Sequence, residues 1–254
     1  MLRSIVFALA FYLTTAAFLL LGSPLLLAPR RWAMAALRIH ARVSLWLLRI
    51  LVGTKLEVRG LDNLPPAPCL IASKHQSTWD TFALIPLFRD PALVLKAELG
   101  LIPFYGWFCY KFEHILIRRE RASAALKQLI SDAKSRSDEG RDVLIFPEGT
   151  RRAPGAPPDY KPGIVALYEG LGRPCVPVAL NSGLFWPRRK LWRYRGTIVV
   201  DIMPPIAPGL PRAAFRKLLQ ERIESCSKAL LDEAAGEQNG PPLPQHLRRQ
   251  IGSC

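Results

Sequence analysis

The sequence predicts an α/β protein: a single domain built on a mixed sheet, preceded by an N-terminal helical segment that anchors it to a membrane. Three features support this prediction. Short apolar runs of strand length alternate with helical patterns after Gly53, as in domains whose helices cover a buried sheet. The stretch from Ser4 to Pro29 carries no charged side chain. The chain also shows no internal repeat and no second domain boundary.

The composition indicates a large apolar core and an anionic partner. Half of the 254 residues are hydrophobic, and the formal net charge is +15. Such a charge is typical of proteins that bind nucleic acid, a membrane surface or a phosphorylated substrate. The five cysteines are widely spaced and form no Cys-x-x-Cys pair, so the sequence predicts neither a disulfide framework nor a zinc site.

Residues 1–54 form the predicted membrane anchor. The uncharged stretch is longer than the ~20 residues with which a helix crosses a bilayer, and Gly22 and Pro24 are expected to end the regular helix. A secretory signal peptide is the alternative interpretation. However, Leu25, Leu26 and Leu27 continue the apolar run where a cleavage site would lie. The sequence therefore favours a retained anchor.

A basic helical pattern follows the uncharged stretch. Arginines recur at steps of seven, four and seven residues, which places them on one helical stripe: Arg31, Arg38, Arg42 and Arg49. A basic helix beside a membrane segment is expected to lie among anionic lipid headgroups, with the bulk of the chain on the cytoplasmic face of the membrane. The alternative is an ordinary helix packed on the domain.

Residues 55–235 form the predicted α/β domain, and residues 236–254, rich in Pro, Gly and Gln, a predicted disordered tail. The predicted strands are Leu56–Arg59, Cys69–Ser73, Ala92–Lys96, Ile115–Arg118, Asp142–Phe146, Cys175–Asn181 and Thr197–Met203. The predicted helices are Thr78–Phe88, Leu101–Tyr110, Arg121–Ser137, Gly163–Leu171 and Ala213–Ala234.

The first candidate site segment runs from Ser73 to Thr81 and contains His75 and Asp80. An apolar run leads into it, and a helix is predicted from Thr78 onward. On one regular helix, side chains five residues apart point about 140° from each other and could not pair. Across a turn into a helix they can face each other, so that Asp80 would orient the imidazole and His75 would act as a general base. By itself the pattern also fits a surface turn.

The second candidate segment is Phe146-Pro147-Glu148-Gly149-Thr150-Arg151. A buried strand precedes it, Pro147 stops strand pairing, and Gly149 allows a tight turn. An arginine on such a turn can bind a phosphate through two hydrogen bonds, and a glutamate can orient a hydroxyl or hold that arginine.

Together these segments resemble the glycerolipid acyltransferases typified by 1-acylglycerol-3-phosphate acyltransferase, the PlsC-like family. Its signature, His-x-x-x-x-Asp followed about seventy residues later by Phe-Pro-Glu-Gly-Thr-Arg, is present here. Lesser blocks also match: Lys96-Ala97-Glu98-Leu99 with Ile102, Pro103, Gly106 and Arg118; Lys161 with Gly163; and Val176-Pro177-Val178-Ala179. The resemblance spans roughly residues 55–205. One departure is Lys74, where the family commonly has asparagine.

The resemblance implies transfer of an acyl chain from acyl-CoA or acyl carrier protein to the sn-2 hydroxyl of lysophosphatidate, giving phosphatidic acid for phospholipid synthesis. His75 would be the base and Asp80 its partner, and backbone N–H groups near Thr78, or Lys96, would stabilise the oxyanion. The implied substrate-binding residues are Lys96, Arg118, Glu148, Gly149, Thr150, Arg151 and Lys161. Structural alternatives remain: a strand cap for Arg118, an ion pair with Glu98 for Lys96, a solvated loop for Lys161, and a Glu148–Arg151 pair.

The sequence implies no metal and no cofactor, because the other histidines, including His114, have no ligand-like spacing. Residues 186–195 interleave Trp and Tyr with Arg and Lys. In a nucleic-acid-binding protein they would form a stacking surface, but beside an apolar N-terminus an interfacial patch on anionic lipid is favoured, and no nucleic acid is expected.

Two other functions remain open at this level. The chain could acylate another lysolipid, such as a lyso-ornithine lipid or a lysophospholipid with a larger head group. It could also be a basic lipid-binding protein without catalysis. A serine hydrolase or a nucleotide-dependent enzyme is disfavoured, because Gly-x-Ser-x-Gly, P-loop and Gly-x-Gly-x-x-Gly patterns are missing.

Overall fold

The computed structural model of the chain describes residues 1–118, 122–236 and 241. The helices are α1 (Leu2–Leu21), α2 (Arg30–Leu47), α3 (Asp80–Ala83), α4 (Tyr105–Lys111), α5 (Ala122–Asp138), α6 (Gly163–Leu171), α7 (Ser182–Phe185) and α8 (Arg212–Gly236). The strands are β1 (Thr54–Arg59), β2 (Leu70–Ser73), β3 (Ala92–Lys96), β4 (Ile115–Ile117), β5 (Val143–Ile145), β6 (Cys175–Leu180) and β7 (Gly196–Ile202).

The seven strands form one mixed sheet in the order β1-β7-β6-β2-β5-β3-β4. Strands β6 and β7 pair antiparallel, and the five other described pairings are parallel. Strand β2 lies between β5 and β6, with Leu70 opposite both Val143 and Cys175. Because the carboxyl ends of neighbouring parallel strands meet at one edge of a sheet, the segments that follow β2, β5 and β6 converge there. The predicted mixed α/β sheet is confirmed.

Both faces of the sheet are buried, as its near-continuous apolar strands require. Along β2, Ile71 points into a core shared with α1 and the π-helical turn Leu48–Val52, which follows α2. Its neighbours Leu70 and Ala72 point into the opposite core, formed with α5, α6 and α8. This alternation follows from the two-residue period of a strand.

The N-terminal helices pack on the domain. In α1, Phe7 and Phe11 are buried, and their rings lie 5.2 and 5.3 Å from the ring of Trp186. The N-terminal end of α2 is fixed to the domain by Arg30, whose guanidinium donates to both carboxylate oxygens of Asp90 at 3.0 and 2.6 Å. Helix α1 ends at Leu21 before Gly22, as the sequence predicts.

Prolines shorten two of the predicted helices. The helix expected over Thr78–Phe88 is regular only in α3, and a 3-10 turn containing Pro86 replaces its second half. The helix expected from Leu101 begins at Tyr105, after Pro103 and Phe104, the latter at φ 59°. Proline lacks an amide hydrogen and disfavours helical geometry in the residue before it. Gly236 of the predicted tail ends α8; apart from residue 241, the rest of that tail lies outside the described residues.

Candidate active site

The turn between β2 and α3 brings His75 and Asp80 together. Nδ1 of His75 lies 3.0 Å from Oδ2 of Asp80. The same oxygen accepts backbone N–H bonds from Gln76 and Ser77, both at 2.8 Å, and Oδ1 accepts the hydroxyl of Ser182 at 2.5 Å. Asp80 is fully buried. Since an ionised carboxylate only accepts hydrogen bonds, Nδ1 carries the proton of neutral His75 and Nε2 keeps its lone pair.

A second contact holds the imidazole on its face. The rings of His75 and Phe146 stack with centroids 4.0 Å apart and planes 19° from parallel. Phe146 follows β5, the parallel neighbour of β2. The two turns are also joined through the backbone, because the amide of Arg152 donates to the carbonyl of His75 at 2.8 Å. The His75 side chain is 12% exposed, so the ring is fixed yet remains accessible.

His75 lies in the wall of a cleft of about 790 Å³. Four cationic side chains line this cleft: Lys96, Arg151, Lys161 and Arg188. The lining residues that the structure describes include no aspartate and no glutamate. Another part of the wall is aliphatic and comes from the sheet, α5 and α6: Val94, Leu126, Leu129, Ile145 and Ile164. The cleft therefore offers one region for an anionic group and another for a hydrocarbon chain.

Most of the residues predicted to bind substrate line this cleft. Arg151 donates from Nη1 to the hydroxyl of Thr78, which brings the two turns together. Gly149 has φ 63°, a left-handed conformation that glycine adopts without strain, and Thr150 follows it in the wall. Lys96 is exposed at the end of β3. Lys161 is 51% exposed and pairs with Asp159 at 2.6 Å.

Glu148 is predicted to bind substrate but lies in the interior, outside the cleft. It does not contact Arg151 and does not line the cleft. Its side chain is 1% exposed, and Oε1 accepts Nζ of the buried Lys74 at 2.9 Å. Oε2 lies 3.4 Å from the backbone nitrogen of His75. The reason is charge compensation: a buried ammonium requires a carboxylate, and the turn at Gly149 directs Glu148 inward while Arg151 faces the cleft.

Arg118 is also separated from the His75 cleft. It is exposed and lines a neighbouring cavity of about 720 Å³, which shares Ile117, Ala125 and Leu129 with the cleft. Strand β4 ends at Ile117, so Arg118 leaves the sheet at its edge. The structure therefore does not group Arg118 with the cations around His75.

Two residues that contribute to the site are not predicted from the sequence. Ser182 begins α7 directly after β6 and binds Asp80; the pairing of β6 with β2 would have indicated this contact, but no local motif does. Arg188 was included in an interfacial patch. In the structure Trp186 of that segment is 5% exposed and packs on α1, while Arg188 lines the cleft and donates to the carbonyl of Arg151 at 2.9 Å.

The described residues contain no group of three or more His, Cys, Asp or Glu side chains that could hold a metal ion. His114 has a structural environment, because its Nδ1 accepts the backbone N–H of Leu93 at 3.3 Å. The pairing of His75 with Asp80 beside a cationic cleft supports proton transfer by a positioned imidazole.

Comparisons with known proteins agree with this geometry. The acyltransferase family profile matches residues 55–181. The chain is 40% identical over 206 residues to the 1-acyl-sn-glycerol-3-phosphate acyltransferase of Pseudomonas aeruginosa, covering 80% of this chain and 79% of that protein. It is 30% identical to the human 1-acyl-sn-glycerol-3-phosphate acyltransferase beta over 70% of this chain and 64% of that one. The crystal structure of the 1-acyl-sn-glycerophosphate (LPA) acyltransferase PlsC from Thermotoga maritima superposes with a TM-score of 0.76, covering 90% of this chain and 96% of that one at 21% identity.

Proposed function

This chain belongs to the acyltransferase family, and we propose that it transfers an acyl group from a thioester to the sn-2 hydroxyl of lysophosphatidate, giving phosphatidic acid. The observation that carries the proposal is the pairing of His75 with the buried Asp80, 3.0 Å apart, in the wall of a cationic cleft. The name of the Pseudomonas relative supports the same acceptor.

In the proposed reaction His75 is the general base. Nε2 takes the proton of the acceptor hydroxyl as its oxygen attacks the thioester carbonyl, and the buried carboxylate of Asp80 stabilises the imidazolium that forms. Collapse of the tetrahedral intermediate breaks the C–S bond, and the imidazolium returns the proton to the leaving thiolate. No covalent acyl-enzyme is needed, because the hydroxyl attacks the thioester directly.

The cations of the cleft are the proposed site for the acceptor phosphate. Arg151 and Arg188 are joined by the hydrogen bond from Arg188 to the Arg151 carbonyl, and each guanidinium has five N–H donors, more than the contacts described here use. A phosphate can be bound by such planar groups through paired hydrogen bonds. Lys96 and Lys161 add charge to the cleft. The aliphatic wall formed by α5, α6 and the sheet would receive the acyl chain.

The oxyanion needs donors other than the first amides of the turn. Backbone N–H groups of Gln76 and Ser77 already bind Asp80 and so are not available to it. Of the donors that the sequence suggested, Thr78 and Lys96 both line the cleft, and we assign this role to the exposed ammonium of Lys96.

Membrane attachment is part of the proposal. Helix α1 has a mean hydropathy of 2.2 over its most apolar window and is long enough to cross a membrane, although a signal sequence or a core helix can have the same properties. Both substrates carry acyl chains, so an enzyme at the membrane surface meets them directly. We place the domain on the cytoplasmic face, on anionic lipids, with acyl-CoA or acyl carrier protein as the donor.

The test is acyl transfer by purified protein in detergent, with labelled acyl-CoA or acyl carrier protein and a panel of lysolipid acceptors. Wild-type protein should form phosphatidic acid from lysophosphatidate faster than it acylates lysolipids with larger head groups. His75→Ala should lower the rate by about 10²–10⁴-fold, with cooperative unfolding retained as evidence that the variant is folded. Equal transfer by both proteins would refute the mechanism. Preference for a different lysolipid would refute the acceptor assignment, and lipid binding without any transfer would favour the non-catalytic alternative.

A further inference from the structure

A buried charge cluster lies behind the catalytic turn, outside the cleft. Its centre is Lys74, which is 2% exposed. Nζ donates to Oε1 of Glu148 at 2.9 Å and to both carboxylate oxygens of Glu224, at 2.7 and 2.9 Å. The hydroxyl of Tyr160 donates to Oε1 of Glu224 at 3.0 Å. Glu224 lies on α8, about forty residues beyond the segment that the family profile matches.

Glu224 accepts most of the hydrogen bonds that the buried ammonium of Lys74 donates: two of the three described contacts of Nζ go to its carboxylate. An ammonium group with this little exposure is very costly unless it is paired and hydrogen-bonded. Glu148 supplies one oxygen to Lys74 and directs the other toward the His75 backbone. Glu224 supplies two oxygens and is 25% exposed. Burial raises the pKa of Glu148, and the ammonium of Lys74 opposes that rise.

The cluster is directly connected to the catalytic histidine. Lys74 precedes His75 in the chain, and its backbone N–H donates to the carbonyl of Val178 at 2.9 Å. Its partner Glu148 lies against the His75 backbone nitrogen. A displacement of the Lys74 side chain would therefore move the backbone on which the imidazole is carried, while none of Lys74, Glu148 and Glu224 lines the cleft.

We infer that Glu224 is a positioning residue for catalysis: as the counter-ion of Lys74, it fixes the Lys74–Glu148 pair and thereby the backbone of His75. This inference rests on the proposed function, since it assigns Glu224 to the same reaction. It makes α8, the last described helix of the chain, a functional part of the active site.

The test is a double-mutant cycle with Glu224→Gln, Lys74→Met and the double variant. Glu224→Gln should lower kcat at least tenfold and leave the KM of both substrates within about twofold, because Glu224 does not line the cleft. In the Lys74→Met background the same change should lower kcat less than threefold, because the charge that Glu224 balances is gone. Glu224→Asp, which keeps the charge, should recover part of the loss.

The matched control is Glu221→Gln, which removes the same charge from an exposed position on α8; within the described part of the chain, Glu221 forms an ion pair with the exposed Lys217 at 3.8 Å. It should leave kcat unchanged. Equal losses in the two variants, or additive effects of Lys74→Met and Glu224→Gln on kcat, would overturn the inference.

A readout without substrate separates this inference from the proposed function. The rate of His75 carbethoxylation by diethyl pyrocarbonate, followed by peptide mass spectrometry, should change in Glu224→Gln and not in Glu221→Gln, whichever acceptor the enzyme uses. If Glu224→Gln does not fold, the Lys74→Met/Glu224→Gln double variant replaces it in the test. A folded double variant whose kcat and rate of His75 carbethoxylation equal those of Lys74→Met would support the pairing of Glu224 with Lys74. An unfolded double variant beside a folded Lys74→Met would overturn it.

Discussion

At the residue scale, Asp80 combines a structural and a chemical task. Of the four hydrogen bonds it accepts among the described residues, two come from backbone amides of its own turn and one from Ser182 on the neighbouring segment. The fourth involves His75. The first three fix the carboxylate whether or not His75 is present, so the imidazole is oriented by a group that is itself immobile.

Asp80→Asn tests the charge separately from the geometry. The amide oxygen can replace Oδ2, and the amide nitrogen can donate to the Ser182 hydroxyl, so the turn is expected to persist. The rate of acyl transfer should still fall about 10²–10⁴-fold, because the imidazolium loses its negative partner. Ser182→Ala is the matched variant: it removes one bond to Asp80 but keeps the charge, and its rate should fall less than tenfold. Equal rates for Asp80→Asn and wild type, measured by initial-rate kinetics, would contradict the role of Asp80.

At the element scale, α2 exposes three of the four arginines of its predicted basic stripe, Arg31, Arg42 and Arg49. The fourth, Arg38, is half-buried and reaches the carbonyl of Phe88 at 3.5 Å. The helix and the π-helical turn after it also expose an apolar stripe with steps of seven, four, three and four residues: Trp32, Ile39, Val43, Trp46 and Ile50. Helix α1 exposes further apolar side chains, including Leu9 and Leu13. An apolar surface that is exposed among the described residues, with arginines beside it, is suited to the interface of an anionic bilayer.

The double variant Ile39→Glu/Trp46→Glu should bind vesicles containing phosphatidylglycerol at least tenfold more weakly than wild type. Two large side chains would no longer enter the bilayer, at about 1.5–3 kcal/mol each, and two negative charges would face anionic lipid. Vesicle co-sedimentation measures the effect. Leu210→Glu, at an exposed apolar position before α8, is the control and should bind like wild type. Equal binding by all three proteins would exclude this stripe from the membrane contact.

At the scale of the whole molecule, an ion-pair cluster at one edge of the sheet ties distant segments together. Arg141, which is 1% exposed, donates to the carbonyl of Phe112 at 2.9 Å and to Glu113 at 3.1 Å. Arg30 binds Asp90 in the same cluster. His114 lies beside these cations, and burial, together with Arg141, lowers its pKa to about 3. The folded protein therefore holds this histidine in its neutral form.

Global stability should decrease as the pH falls below the unfolded-state pKa of histidine, about 6.5. Between that value and about 3 the unfolded chain binds a proton at His114 that the folded chain does not, so the free energy of unfolding falls by at most about 1.4 kcal/mol per pH unit. Because water reaches the half-buried His114, the total loss across this interval should be smaller than that slope integrated over it. His114→Asn, which retains an acceptor for the Leu93 amide, should flatten the dependence between pH 6.5 and 4 in denaturant titrations. An unchanged slope would contradict this assignment.

Much of the fold could be predicted because strand and helix patterns are local. All seven strands and the helices α5, α6 and α8 lie within a few residues of their predicted positions. The errors fell at Pro86 and Pro103, where tertiary packing and proline geometry replace regular helix with short turns.

In the site, His75, Asp80 and Arg151 were predicted from a motif. Ser182, Arg188 and Glu224 were not, because they reach the site from segments more than 100 residues away from His75 in the chain.

Residue types and their spacing predict the mixed α/β class, the apolar N-terminus and the pairing of a histidine turn with a Pro-Glu-Gly-Thr-Arg turn. These features are encoded in short windows of residue type and spacing. The packing of strands and helices determines three further features: Glu148 faces inward to Lys74 rather than to the cleft, Arg118 lies outside the group of cations around His75, and α8 contributes a carboxylate behind His75. The physical reason is that the direction of a side chain and the balance of buried charge depend on which strands and helices become neighbours. A local pattern does not contain that information.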